Sequence, residues 1–462
     1  VPHKGRKFVN NEREKEMTTK RVLIGMTAML VSVSAMADDP IISGVMVQQR
    51  WPWSRLVDID YVLKCDLEQS IDIGVSAYNG TELLDVPGTS FSGDLYGVSW
   101  GTRRIVWDPT VTAYTNNGAI PEFRVALTAT PVPLYMIVDL TKSAGEAGQT
   151  EYVYESALTN GLWGAWVRNP VTNDGTAVQS VIWTGVKTND IYKTDKLVLR
   201  RIPKGEFKVG ASVPAAISTT LTKDFYAGVF QVTQKQWQLL MGDLRSWPSY
   251  WGNETNRDAR PVEMVSYDDI RGAMSNNPTV NWPATGVAVM PSSFVGRLRA
   301  QTGLTDFDLP TEAQWECLCR AGMTTYYNDG IAGSPNSVSN AQIDVLGRYQ
   351  SNGGQVWNET TGLWESPKET AGTTMVGSYL PNAWGLYDTH GNVCEWCLDW
   401  WTAASLQAGG SDPAGAASGT TRAVRGGSWM FKAAFCRSSY SHYYEPNKRN
   451  SLTGFRLVRT LP

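Results

Sequence analysis

The stretch Leu309-Pro310-Thr311-Glu312-Ala313-Gln314-Trp315-Glu316 decides how the second half of the chain is read. Thr311 stands where a hydroxyl accepts a hydrogen bond from the first turn of a helix, and Gln314, three residues on, reaches back to the Thr311 backbone. This is a capping box, and a helix begins here. Cys319 lies four residues after Trp315 and so falls on the same side of that helix. Working outward, Thr233 is an N-cap for Thr233–Met241, which places Trp237, Leu240 and Met241 on one face. Upstream, Leu197-Val198-Leu199 runs into Ile202-Pro203-Lys204-Gly205-Glu206-Phe207, a strand–turn–strand pattern. Between about 320 and 425 the chain is mostly loop, rich in Gly, Asn and Ser. That much irregular backbone needs metal ions, disulfides or buried aromatics to hold it.

The N-terminal half has a different texture. Val57–Val62 and Ile71–Val75 alternate apolar and polar residues, and further strands are expected at Arg104–Trp107, Phe123–Leu127 and Tyr135–Leu140. Turn residues such as Asn79-Gly80, Pro87-Gly88 and Asn116-Asn117-Gly118 separate them. Residues 41–142 are therefore read as an all-β sandwich of immunoglobulin or fibronectin type. Residues 143–195 are read as a linking segment with one hairpin, and 196–462 as the second domain. Cys65, beside alternating strand residues, reads as a small buried hydrophobe.

The 462-residue chain is long enough for two to three domains at roughly 100–200 residues each. Hydrophobic residues at 42% and aromatics at 11% supply a packed core, and with charged residues at only 18% a coiled coil is excluded. Met17 opens a secretory pattern: Lys20-Arg21, the apolar run Val22–Val33, then Ala35-Met36-Ala37. Residues 1–16 are read as preceding the natural initiator, 1–37 as lost on export, and the remainder as an exported bacterial protein without a transmembrane segment. That remainder carries 34 basic against 41 acidic side chains, with no basic run for a nucleic-acid partner. Its histidines are His390 and His442 alone, too few for a three-histidine zinc or iron site. Neither accompanies a G-x-S-x-G nucleophile elbow.

The spaced motifs of the second half carry a resemblance. Phe225-Tyr226, Val232-Thr233, Arg260-Pro261-Val262-Glu263, Leu309–Glu316, Gly385-Leu386-Tyr387-Asp388, Gly391-Asn392-Val393, Glu395-Trp396, Arg425-Gly426-Gly427-Ser428-Trp429 and Gly454-Phe455-Arg456-Leu457 occur in the order found in formylglycine-generating enzymes. Over roughly 196–460 the chain resembles this family, also called sulfatase-modifying factors. The resemblance implies an α+β, C-type-lectin-like fold with little regular structure. It also implies an activity: oxidation of a sulfatase cysteine by O2 and Cu(I) held on two thiolates, ligands soft enough for that ion.

In the family those cysteines sit five residues apart, just after the Gly-Gly-Ser motif. Here the second is Cys436 and the first is Phe431, while Ser428 matches the family's active-site serine. Phenylalanine cannot ligate copper, so Cys436 and Ser428 are catalytic candidates only if another sulfur, from Met430, Cys394 or Cys397, completes the pair. A disulfide between two of Cys319, Cys397 and Cys436 would make Cys436 inert, and the sequence does not choose among the pairings. Cys317-x-Cys319 and Cys394-x-x-Cys397 imitate a zinc site, but the first spacing does not suit one.

The resemblance also implies a calcium site built from the Asp388 and Glu395 carboxylates and the Gly391 and Val393 carbonyls, hard oxygen donors that would pin the turn. The family's other calcium site has no clear counterpart near Asn352-Gly353. Finally, Cys436–Tyr444 alternates polar and aromatic groups; Trp429, Arg437, Tyr440, His442 and Tyr443 are read as ligand-binding residues facing a glycan or an extracellular protein. The expectation is an exported family member, degenerate at the copper site, acting as a calcium-stabilised binding or structural module. The alternative is an active copper oxidase acting on a sulfatase. A third reading, a non-haem iron sulfoxide synthase, needs a histidine cluster that the chain lacks.

Overall fold

The computed structural model describes residues 40–50, 54–65, 70–114, 120–154, 166–173, 176–210, 217–242, 249–250, 256–272, 289–331, 341–354, 356–365, 371–403 and 409–461. The export signature at 17–37 lies outside them. Among the described residues no helix is long and apolar enough to cross a membrane.

Two antiparallel sheets form the N-terminal β domain. One orders the strands Ile41–Gln49, Val57–Lys64, Gly101–Trp107 and Phe91–Gly93; the other orders Glu82–Leu83, Ile71–Asn79 and Phe123–Pro131. The expected alternation is what buries them. Ile59, Tyr61 and Leu63 from one sheet meet Ile71 and Ile73 from the other in a shared core, and Trp107 stacks on Phe123 with ring centroids 5.1 Å apart.

The boundary of this domain differs from the sequence reading. Tyr135–Asp139, expected as the last sandwich strand, pairs instead with Lys196–Arg200 in a six-stranded sheet. Its order is Phe307–Asp308, Val458–Thr460, Phe225–Gly228, Lys196–Ile202, Tyr135–Asp139, Thr150–Val153. The supposed linking segment thus supplies an edge strand as well as the hairpin Trp166–Asn173/Thr176–Trp183. The reason is burial on both faces. All five residues of Tyr135–Asp139 are buried, whereas sandwich strands with one solvated face alternate.

The central strands sort their side chains by parity. Met136, Val138, Leu197 and Leu199 enter one apolar cluster with Trp237, Phe294 and Phe455. Tyr135, Ile137, Val198 and Ile202 enter another with Ala313, Cys317 and Leu318. Helices Gln234–Met241 and Phe294–Thr302 cover the first face, joined by stacked Trp237 and Phe294 at 5.2 Å. Helix Glu312–Arg320 serves the second, and both the Thr233 and the Thr311 capping boxes are formed.

A smaller four-stranded sheet orders Ser441–Tyr444, Arg422–Arg425, Cys394–Trp400 and Thr453–Gly454. The candidate residues gather on and around it.

Candidate functional site

The turn before Cys394–Trp400 is held by backbone that only certain residues can adopt. Gly391 has φ +84°, and a Cβ there would come within 2.0 Å of the Arg348 carbonyl oxygen. Gly391 N–H donates to the Gly426 carbonyl, and Trp429 N–H donates to that of Asn392, so the turn is zipped onto the Gly-Gly-Ser segment. Asp388 and Asn392 also take positive φ, a conformation these short polar residues tolerate.

Glu395 and Arg456 are fully buried and form the centre of this region. Arg456 Nε donates to Glu395 Oε2 at 3.0 Å, and its Nη2 donates to Oε1 at 3.0 Å. The same guanidinium donates to the carbonyls of Gly228, Val229 and Tyr387. Trp315 Nε1 donates to Glu395 Oε2 at 2.6 Å. The sequence does not single out Gln231 or Arg456 as a site residue, although Arg456 lies within a motif and Gln231 precedes one.

Of the four donors expected to hold calcium, the structure brings three to a common point. Gln231 Nε2 donates to the Gly391 carbonyl (3.3 Å), the Val393 carbonyl (3.0 Å) and Glu395 Oε1 (2.9 Å). The fourth oxygen around it is the Asp388 carbonyl, at 3.2 Å, and not the carboxylate. Asp388 Oδ2 instead accepts from Gly377 N–H at 2.7 Å. Burial pushes the Asp388 carboxyl up to about 6, with the Gly377 bond and Arg456 opposing. By type these are hard donors suited to calcium, but the point they face is taken by a protein nitrogen.

The candidate copper site centres on a buried thiol. Cys436 is inaccessible, its thiol pushed up to about 12 by burial. Gly427, at φ +73°, makes room for it; a Cβ there would lie 2.4 Å from the sulfur. His390 holds the Cys436 backbone, its Nδ1 lying 2.7 Å from that carbonyl, while Nε2 accepts from Asn328 N–H. The ring is therefore neutral, donating from Nδ1, and burial lowers it to about 4. Ser428 is buried, its side chain beside the Cys394 thiol. Burial first, then the Cys436 charge, drive the Cys394 thiol well above the usual range.

Phe431 packs into the clusters of both sulfurs. Met430 is 42% exposed and so lies outside the core. Cys317, Cys319, Cys394, Cys397 and Cys436 are buried and form no disulfide with one another. Cys319 donates to Thr389 O and Ser438 Oγ, and Cys397 to Glu395 O, so each thiol has a local acceptor.

The expected recognition residues divide. Trp429 turns inward, packing with Ala371 and donating to the Ser451 carbonyl, so it is core and not surface. The others form a surface of rings. Tyr443 is exposed and lies on Trp401 at 4.0 Å, His442 packs against Tyr443 and Tyr444, and Tyr440 contacts Phe435 at 4.9 Å. Arg437 sits over Tyr440. Sequence reasoning missed Trp401 and Phe435, which the fold alone brings to this face.

Buried Arg425 fixes the strand behind those rings. It pairs with Glu316 and, at 3.6 Å, Glu312, and donates to the carbonyls of Ser438 and Ser439. Ser441 Oγ donates to Glu312 Oε1 at 2.6 Å. Next to Glu312, Asp399 Oδ2 accepts from the Glu312 N–H. Burial, and then the Glu312 charge, raise Asp399 far above the usual carboxylate range, with Arg422 opposing.

Comparison with known proteins follows the same residues. Residues 186–461 match the sulfatase-modifying factor enzyme 1-like domain, and the chain belongs to this family. It is 30% identical over 281 residues to the chaperone protein LppX of Paenibacillus barcinonensis, covering 58% of this chain and 90% of that one. It is 33% identical over 162 residues to the formylglycine-generating enzyme of Thermomonospora curvata, covering 32% of this chain and 48% of that one. The chain thus spans about half the length of that enzyme. Among solved structures, the Treponema denticola variable protein 1 covers 58% of this chain with 96% of its own, at 26% identity and a TM-score of 0.42.

Two outcomes follow from this geometry. Glu395→Gln leaves the Arg456 guanidinium buried without its counter-charge and should cost about 3–5 kcal/mol in urea unfolding; a loss below about 1 kcal/mol would contradict the central role given to the pair. Asp399→Asn tests the raised carboxyl. The folded protein keeps a proton that an unfolded aspartate releases above about pH 4, so this stabilisation is full below that pH and is lost as pH rises through the folded value. Wild type and variant should be equally stable near pH 4, and the variant more stable by about 1–3 kcal/mol at pH 8. Parallel stability profiles would show that Asp399 is not perturbed.

Proposed function

We propose that this chain is an exported member of the family that has given up copper oxidation and works as a binding or structural module through its aromatic surface. The observation that carries the reading is Phe431. At the position where the family places its first thiolate, this chain has an apolar ring packed against the surroundings of both Cys394 and Cys436. Reactive thiols sit in electropositive, partly exposed settings; Cys436 is inaccessible and strongly protonated.

The surface supports the other half of the reading. Tyr443, Trp401, Tyr440 and His442 offer flat faces with polar edges, the combination that stacks on sugars or peptides at small conformational cost. The Arg425 network holds their strand rigidly. A relative covered over 90% of its length is a chaperone protein, which accords with family members that work by binding. A lectin-like arrangement of the domain, the partner class (a glycan or an extracellular protein) and export belong to the same reading.

Cys394 beside Cys436 favours the second reading, an oxidase acting on a sulfatase with a displaced second sulfur. The two are separated by titrating the protein with Cu(I), incubating it aerobically with a Cys-x-Pro-x-Arg peptide and weighing the product. Expected is no aldehyde from the wild type, and Cu(I) binding gained by Phe431→Cys. Aldehyde formed by the wild type and abolished by Cys436→Ala would reject the binding-module reading. On the binding side, Tyr443→Ala should weaken the best hit of a glycan and peptide panel about tenfold; no hit, or an unchanged one, would remove the aromatic surface from the reading.

A further inference from the structure

The four oxygens around Gln231 pose a physical problem that a neutral side chain solves. Three backbone carbonyls and one carboxylate oxygen face one point at 2.9–3.3 Å. Their lone pairs repel unless something positive lies between them, and a buried carbonyl or carboxylate without a donor is costly. A calcium ion is one solution, held by oxygens at about 2.3–2.6 Å. A carboxamide NH2 is another. It brings two hydrogens, each able to be shared between two acceptors.

Position and charge both favour the second solution. Gln231 is fully buried. It is placed by the strand partners on either side: Tyr387 N–H donates to Val229 O, and Val232 N–H donates to Phe455 O. Its nitrogen already stands where the oxygens aim, so an ion and the amide cannot share the place. Glu395, the one carboxylate in the set, is already neutralised by a bidentate bond to Arg456. A divalent cation added here would find no uncompensated charge on that carboxylate. Of the Asp388 carboxylate, which could have supplied one, Oδ2 accepts from Gly377 N–H, and Oδ1 has no hydrogen-bond partner among the described residues.

We propose that the Gln231 side-chain nitrogen replaces the structural cation of this turn, so that residues 388–395 are closed by an internal hydrogen-bond donor and hold their shape without metal. The Gln231 carbonyl oxygen has no partner among the described residues.

Calorimetry of the full chain tests this, with and without EDTA and with about 1 mM Ca2+, well above the Kd of sensor-type sites. The wild-type Tm should agree within about 1 °C in the two buffers, because a ligand that does not bind the native state cannot raise Tm. Gln231→Glu removes both hydrogens and sets a carboxylate against four oxygens; its Tm in EDTA should fall by about 4 °C or more, or the variant should not fold. A wild-type Tm that drops in EDTA and returns with Ca2+ would overturn the proposal, showing the carboxamide turned over with its oxygen on an ion. So would a Gln231→Glu protein as stable in EDTA as the wild type. The wild-type comparison decides the matter whether or not the variant folds.

Discussion

The buried pair of Glu395 and Arg456 is the constraint on which the rest of this domain depends. One guanidinium holds the carbonyls of Gly228, Val229 and Tyr387 and both oxygens of Glu395, so it ties the central sheet, the 385–395 turn and the smaller sheet to a single point. Trp315 Nε1 brings the Glu312–Arg320 helix to the same carboxylate. Buried charge of this kind is expensive to desolvate, and well-packed apolar groups can be as stable. What hydrogen-bonded charge adds is direction: each bond specifies which backbone atom stands where, in a region where little regular secondary structure does so.

A second buried cation performs the same task one strand away. Arg425, held by Glu312 and Glu316, fixes Ser438 and Ser439 and, through Glu312, Ser441. The aromatic face of Tyr440, His442 and Tyr443 is thereby mounted on a rigid frame that reaches back to the capping box at Thr311. Cys436 is buried next to Phe431, His442 packs against that same ring, and Tyr443 is exposed on Trp401. Family scaffold and candidate binding surface are parts of one hydrogen-bonded unit.

Local signals were the ones most readily read from the sequence. Thr311 and Thr233 cap helices because hydroxyl and amide lie three residues apart, and the alternation of Val57–Val62 is a direct record of a half-buried strand. Pairing over long separations was not legible. Tyr135–Asp139 looks like its neighbours in sequence and joins a different sheet because both of its faces are covered. Trp429 and Tyr443 are both aromatic residues among polar neighbours in sequence, yet Trp429 is buried, and Tyr443, on the edge strand of its sheet, is exposed. Gln231 was illegible for another reason. A glutamine before a capped helix carries no mark of chemistry until the carbonyls of residues more than 150 positions away converge on it.

The chain belongs to the sulfatase-modifying factor family, and we propose that its 388–395 turn is closed by Gln231 and that Phe431 leaves Cys436 without the family's second copper ligand. Native mass spectrometry of the purified chain, after exposure to Ca2+ and Cu(I) and exchange into volatile buffer, tests both points in one spectrum. The expected result is a single species at the mass of the metal-free polypeptide. A stoichiometric calcium adduct would place an ion in the 388–395 turn, a copper adduct would restore the oxidase reading, and either would contradict the central claim.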